Sequence, residues 1–189
     1  NAFSDMFALK AIKLIGQSLE TAYRDGKTRK ARSDMMLGAL SAGCAFAAAG
    51  TSLAHAMQYP IGAITKTAHG LGVATMLPFV MSYNRGYAME AMCDIALALG
   101  LKQDTQTPDQ FSKLAITETR RLLSAVAIPT SLRELGLPED RLTWVADQSM
   151  GIGRLIKNNQ RQIDGEELKH LLRAADPGEV PQQRDPPGT

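Results

Sequence analysis

The sequence predicts an all-α protein, a helical bundle of about seven helices, and three observations carry that expectation. Apolar residues recur at three-to-four spacing along most of the chain, and capping and breaking residues stand at the ends of those stretches. No segment shows the alternation of a half-buried strand, so a nucleotide-binding sheet is not expected within this chain.

The elements follow in order. Ser4-Asp5 is an N-cap candidate, and Met6, Leu9, Ile12, Ile15 and Leu19 then mark an amphipathic helix over residues 5–23, ended by Asp25-Gly26. A second helix from about Arg29 to Ala49 is rich in Ala and sets Met36, Leu40, Cys44 and Ala47 on one stripe; its small residues permit close helix packing. Residues 51–57 read as helical and Pro60-Ile61-Gly62 as their stop; a loop to Ala68 leads into an apolar segment from His69 to Tyr83 that contains Pro78. Tyr87–Leu99, Asp109–Val126 entered through Thr107-Pro108, Glu139–Met150 after Leu137-Pro138, and Gly165–Ala175 complete the set. Trp144 and the nine methionines read as core, and His170, beside Glu166 and Glu167, as surface. Residues 1–176 form the helical domain; residues 177–189 hold four of the nine prolines and little to bury, the composition of a disordered tail.

Charge is distributed unevenly. The 189 residues carry 21 Lys+Arg and 19 Asp+Glu, a formal net charge of +2. The fifty residues from Met35 to Asn84 nevertheless contain one charged side chain, Lys66, where the average would place roughly ten. Net charge near zero excludes nucleic acid held by phosphate neutralisation, and Lys27, Arg29, Lys30 and Arg32 read as a solvated helix start. The uncharged stretch is built from Ala, Gly, Ser and Thr and includes His55, Gln58 and Pro60, so a membrane span is not expected there. Cys44 and Cys93 stand far apart, without a C-x-x-C, and read as buried thiols of a reducing cytoplasm.

His55 and His69 lie inside this stretch. On one unbroken helix their fourteen-residue separation would span about 21 Å, too far for one ion. Two imidazoles sharing a metal at about 2.1 Å each require the chain to fold back, and Pro60, Gly62, Gly70 and Gly72 offer the means. The uncharged surroundings would make a dry site. Two histidines in an apolar segment are also compatible with hydrogen-bonded core residues, and no Asp or Glu occurs between Met35 and Asn84 to complete a ligand set.

These residues carry a resemblance. Gly50-Thr-Ser-Leu-Ala-His55-Ala-Met-Gln-Tyr59-Pro60-Ile-Gly62-Ala, then Ala68-His69-Gly70, then Met76-Leu-Pro78-Phe-Val-Met-Ser-Tyr-Asn84, resembles the signature of the iron-containing (group III) alcohol dehydrogenases. Asn1–Ala11, Ala31–Gly50 and Ile152–Ala175 are similar to flanking helices of that family, so nearly the whole chain short of the tail is covered. The resemblance implies the C-terminal helical domain of a two-domain enzyme with the dehydroquinate synthase-like fold. His55 and His69 match the last two His of a metal set of one Asp and three His. The Asp, the first His and the N-terminal nucleotide-binding domain are expected upstream of Asn1.

The resemblance further implies a metal, Fe2+ or Zn2+, acting as a Lewis acid on the oxygen of an alcohol, aldehyde, hydroxy acid or oxo acid while NAD(P) exchanges hydride from the other domain. Tyr59 stands one turn after His55, where many members carry another His; Tyr there is similar to a subset including maleylacetate reductases. Substrate positioning is the preferred role for Tyr59 over simple packing. Phe46 matches an aromatic facing the substrate, with a core Phe as the alternative. A cytoplasmic homodimer is expected. The competing function is a helical, non-catalytic interaction module, or an inactive truncated derivative of the fold.

Overall fold

Local capping chemistry decides where several of the helices begin. Asn1 caps α1 (Ala2–Arg24) through a reciprocal box with Ser4, three residues ahead of the expected Ser4-Asp5 start. Thr107 and Gln110 make the same box for α6 (Pro108–Ala125), with proline at its first position, and Asp164 and Glu167 make it for α9 (Gly165–Ala175). Between them lie α2 (Arg29–Ala49), α3 (Leu53–Thr65), α4 (His69–Asn84), α5 (Met89–Ala98), α7 (Leu142–Met150) and α8 (Gly153–Lys157), with single 3-10 turns at Arg85–Tyr87 and Glu139–Arg141. The computed structural model describes residues 1–177, and no strand occurs among them. The expected disordered tail, apart from Pro177, lies outside the described residues. The helix count exceeds seven because residues 53–84 form two full helices and because α8 is too short to leave a periodic pattern.

The described chain divides into two compact units. The first joins Asn1–Gly50 to Met89–Val126 and so contains α1, α2, α5 and α6. Its main seam is made of small residues. Ser4, Ala11 and Ser18 of α1 and Ala31, Gly38, Ser41 and Ala45 of α2 are buried, whereas Met36 and Leu40 are 73% and 65% exposed. The Met36–Leu40 stripe therefore faces outward, contrary to the sequence-based expectation. A Cβ at Gly38 would stand 2.7 Å from Ile15 Cγ1, so the two helices approach where side chains are smallest. The Ser18 hydroxyl donates to Asp34 at 2.9 Å across this seam. Lys30 and then Ser18 hold the Asp34 carboxyl below the usual range.

The second unit joins Thr51–Ala88 to the residues from Ala127 onward. Its core centres on Leu53, Met57 and Ile61 of α3 and Met76 and Phe79 of α4, packed with Val145 of α7 and Leu168 and Leu172 of α9. Helix α3 does not stop at Pro60. It runs on to Thr65 with Pro60 buried inside it, so packing of an apolar face outweighs the lost backbone bond. The reversal falls instead at Lys66, a left-handed residue (φ 56°, ψ 20°) whose amide donates to the Gly62 carbonyl at 3.0 Å. After Thr67 and Ala68, α4 begins at His69.

Polar contacts fix the far end of α4. Asn84 and Asn159 exchange two amide hydrogen bonds, at 2.9 and 2.8 Å. The Tyr83 hydroxyl is shared between the Gln162 carbonyl at 2.8 Å and Glu167 at 3.0 Å, and the Arg161 guanidinium lies 4.1 Å above its ring. Burial first, then the Glu167 contact, push the Tyr83 phenol above its ordinary range. Two further expectations are corrected: Trp144 is 40% exposed, and of the methionines Met6 as well as Met36 lies at the surface. Cys44 and Cys93 are free and only half-buried.

Two outcomes follow from this packing. Gly38→Val overfills the α1–α2 seam and is expected to lower stability by about 1–3 kcal/mol in urea unfolding; a wild-type midpoint would show the seam is looser than described. The raised Tyr83 pKa means that the folded chain holds a proton that the unfolded chain releases above about pH 10. Its stabilising contribution is thus complete below that pH and lost as pH rises through the folded value. Tyr83→Phe should flatten the alkaline fall in stability, and an equally steep fall would count against this assignment.

Candidate functional site

The site is assembled in the second unit by the α3–α4 reversal. His55 is in the first turn of α3, Tyr59 is one turn further on, and His69 opens α4. The His55 and His69 ring centroids are 5.3 Å apart with their planes at 50°. Tyr59 joins them, its ring centroid 5.9 Å from that of His69. Three side chains spread over fifteen residues of sequence thus converge.

Exposure is graded across the cluster. His55 is half-buried, while His69 and Tyr59 are exposed, Tyr59 at 54%. The face is open to solvent in this chain, rather than the dry enclosure expected from the uncharged sequence. Desolvation, and next the neighbouring His69, hold the His55 imidazole below its ordinary pKa. A neutral imidazole keeps a lone pair on one nitrogen, the form in which histidine binds a metal.

The donor set supports half of a metal site. Two imidazole nitrogens suit Fe2+ or Zn2+, but catalytic sites normally use three protein ligands. Among the described residues no group of three or more His, Cys, Asp or Glu is placed to hold an ion. Further ligands would have to come from outside those residues. Phe46, the other residue singled out by the resemblance, lies in the last turn of α2 in the first unit and is 57% exposed in this chain.

One neighbour was not foreseen as part of the site. Gln58, between His55 and Tyr59 in sequence, is 3% exposed, and its Oε1 is buried without a hydrogen-bond partner, a state that costs about 1–3 kcal/mol. Its carboxamide occupies the space that side chains at Gly62 and Gly72 would fill. The sequence signal is the pair of glycines, which lie within helices and permit close approach rather than a turn.

Comparison with known proteins places this geometry in a family. The family model described as Fe-containing alcohol dehydrogenase family, C-terminal, matches residues 1–176. Long-chain-alcohol dehydrogenase 1 of Geobacillus thermodenitrificans is 33% identical over 94% of this chain and 45% of its own length. Lactaldehyde reductase of Escherichia coli is 32% identical over 92% of this chain and 45% of its own. Among solved structures, a 1,3-propanediol oxidoreductase superposes with a TM-score of 0.89 at 31% identity, over 93% of this chain and 46% of that one. An alcohol dehydrogenase from Oenococcus oeni superposes with a TM-score of 0.88 at 27% identity, over 93% and 45%. The chain spans about half the length of the curated relatives it matches. Its all-helical fold, its signature around His55 and His69 and the match over residues 1–176 together assign this chain to the Fe-containing alcohol dehydrogenase family, as its C-terminal part.

Proposed function

We propose that this chain is the metal-holding helical part of an NAD(P)-dependent alcohol dehydrogenase that interconverts an alcohol or hydroxy acid with its aldehyde or oxo acid. The observation that carries the reading is the convergence of His55, His69 and Tyr59 at ring distances of 5.3 and 5.9 Å. His55 and His69 would supply two nitrogen ligands to Fe2+ or Zn2+, with the remaining ligands and most of the NAD(P) site outside the described residues. When bound, the ion supplies Lewis-acid stabilisation of negative charge on the substrate oxygen.

The chain's own residues have distinct tasks. Burial keeps His55 neutral, and so available as a donor, at pH values where an ordinary histidine begins to protonate. Tyr59, exposed beside His69, offers a hydroxyl that orients a bound oxygen. Positioning rather than proton transfer is the role proposed for it. Phe46 is proposed as a substrate-facing aromatic on the family resemblance. Among the described residues no single helix is long and apolar enough to cross a membrane. A cytoplasmic homodimer acting on small molecules is proposed on the family resemblance.

A second reading, a helical interaction module without catalysis, is favoured by one observation: no third ligand joins the pair among the described residues. Metal content and activity separate the two. In the protein carrying this chain, His69→Ala is expected to lose bound iron or zinc and to lower nicotinamide-dependent alcohol oxidation by at least about a hundredfold. Unchanged metal and rate would remove His69 as a ligand, and a wild type with neither would favour the module. Tyr59→Phe is expected to raise KM about three- to tenfold with kcat little changed, the mark of a lost positioning hydrogen bond. A fall confined to kcat would contradict that role.

A further inference from the structure

Gln58 stands at the contact between the two helices that bring the histidines together. Its side chain is 3% exposed, with Oε1 buried and unpartnered. A Cβ at Gly62, one turn along α3, would lie 2.7 Å from Gln58 Nε2. A Cβ at Gly72 on α4 would collide with Oε1 and stand 2.6 Å from Cδ. The carboxamide is therefore seated in a notch that exists because both glycines lack side chains. That notch is about one helical turn from each imidazole: Gln58 follows His55 by three residues, and Gly72 follows His69 by three.

We propose that Gln58 is the positioning residue of the His55–His69 pair: its flat carboxamide, wedged between Gly62 and Gly72, sets the α3–α4 separation and with it the approach of the two rings. Two features argue for a steric role. A buried acceptor that gains no hydrogen bond is retained in a place where an apolar side chain would incur no such cost. A planar amide is also thin enough to pass between two backbones, whereas a branched side chain would force them apart. A smaller residue would let α4 slide inward, because interiors close on a void only partly and by shifting neighbours. The proposal rests on the reading of the pair as metal ligands, but the geometry it invokes is independent of metal.

The test uses the protein carrying this chain and two readouts. The first is the nuclear Overhauser contact between ring protons of His55 and His69 in the absence of metal; the second is the affinity for Zn2+ alone. Wild type and Gln58→Met, which refills the notch with an unbranched chain, are expected to show the contact and similar affinity. Gln58→Ala is expected to lose the contact and to bind Zn2+ about tenfold or more weakly. The proposal is overturned if Gln58→Ala keeps both properties, if Gln58→Met behaves like Gln58→Ala, or if the wild type lacks the ring contact. A wild type that shows the ring contact but binds no Zn2+ removes the metal reading, and the ring contact in the variants then decides the positioning role. Should Gln58→Ala unfold, a thermal cycle decides: Gly72→Ala is expected to lower Tm sharply in the wild type and to do so much less beside Gln58→Ala. Equal effects in both backgrounds would show that the two positions do not interlock and overturn the wedge.

Discussion

The second unit depends on one constraint, that α3 and α4 lie close enough for residues fourteen apart in sequence to touch. A helix alone would hold His55 and His69 about 21 Å apart. The chain meets the constraint with a three-residue link, a left-handed Lys66, and a helix interface in which Gly62 and Gly72 make room for the Gln58 side chain. Non-glycine residues rarely adopt that backbone region, at a cost of roughly 1–2 kcal/mol. The cost is offset here by the apolar core packed across α3 and α4, from Leu53 to Phe79.

The two units solve the same packing problem with different materials. In the first, α1 and α2 meet along Ser, Ala and Gly, leaving Met36 and Leu40 outside. In the second, large apolar side chains fill the centre and polar groups tie the periphery, with Asn84 to Asn159 and Tyr83 to Gln162 and Glu167 at one end of α4. Close backbone approach lets small residues be as buried as large ones, since exposure is decided by what lies opposite and not by hydrophobicity alone.

That difference explains which parts were legible in the sequence. The start of α6 is legible because Thr107-Pro108 is local chemistry, while the equally local Asn1–Ser4 box of α1 is masked by the stronger-looking Ser4-Asp5 pair. The buried face of α2 was misread because an apolar stripe was assumed to face inward, while the partner helix selects the Gly38 face. Pro60 was read as a stop because the local rule is a cost, and local rules do not include the tertiary packing that offsets it. At the site, the spacing of His55 and His69 showed only that a fold-back was needed. The metal and the roles of Tyr59 and Phe46 came from resemblance, and Gln58 went unnoticed because its significance lies in what Gly62 and Gly72 omit.

The absence of carboxylates between Met35 and Asn84 has a consequence for how the pair responds to acid. No acidic group in that stretch is available to draw a proton onto either ring by pairing with it. Desolvation first, and then His69 beside it, make protonation of His55 harder. A positive charge on His55 would find no carboxylate within that stretch to pair with, at a place where the two rings stand 5.3 Å apart.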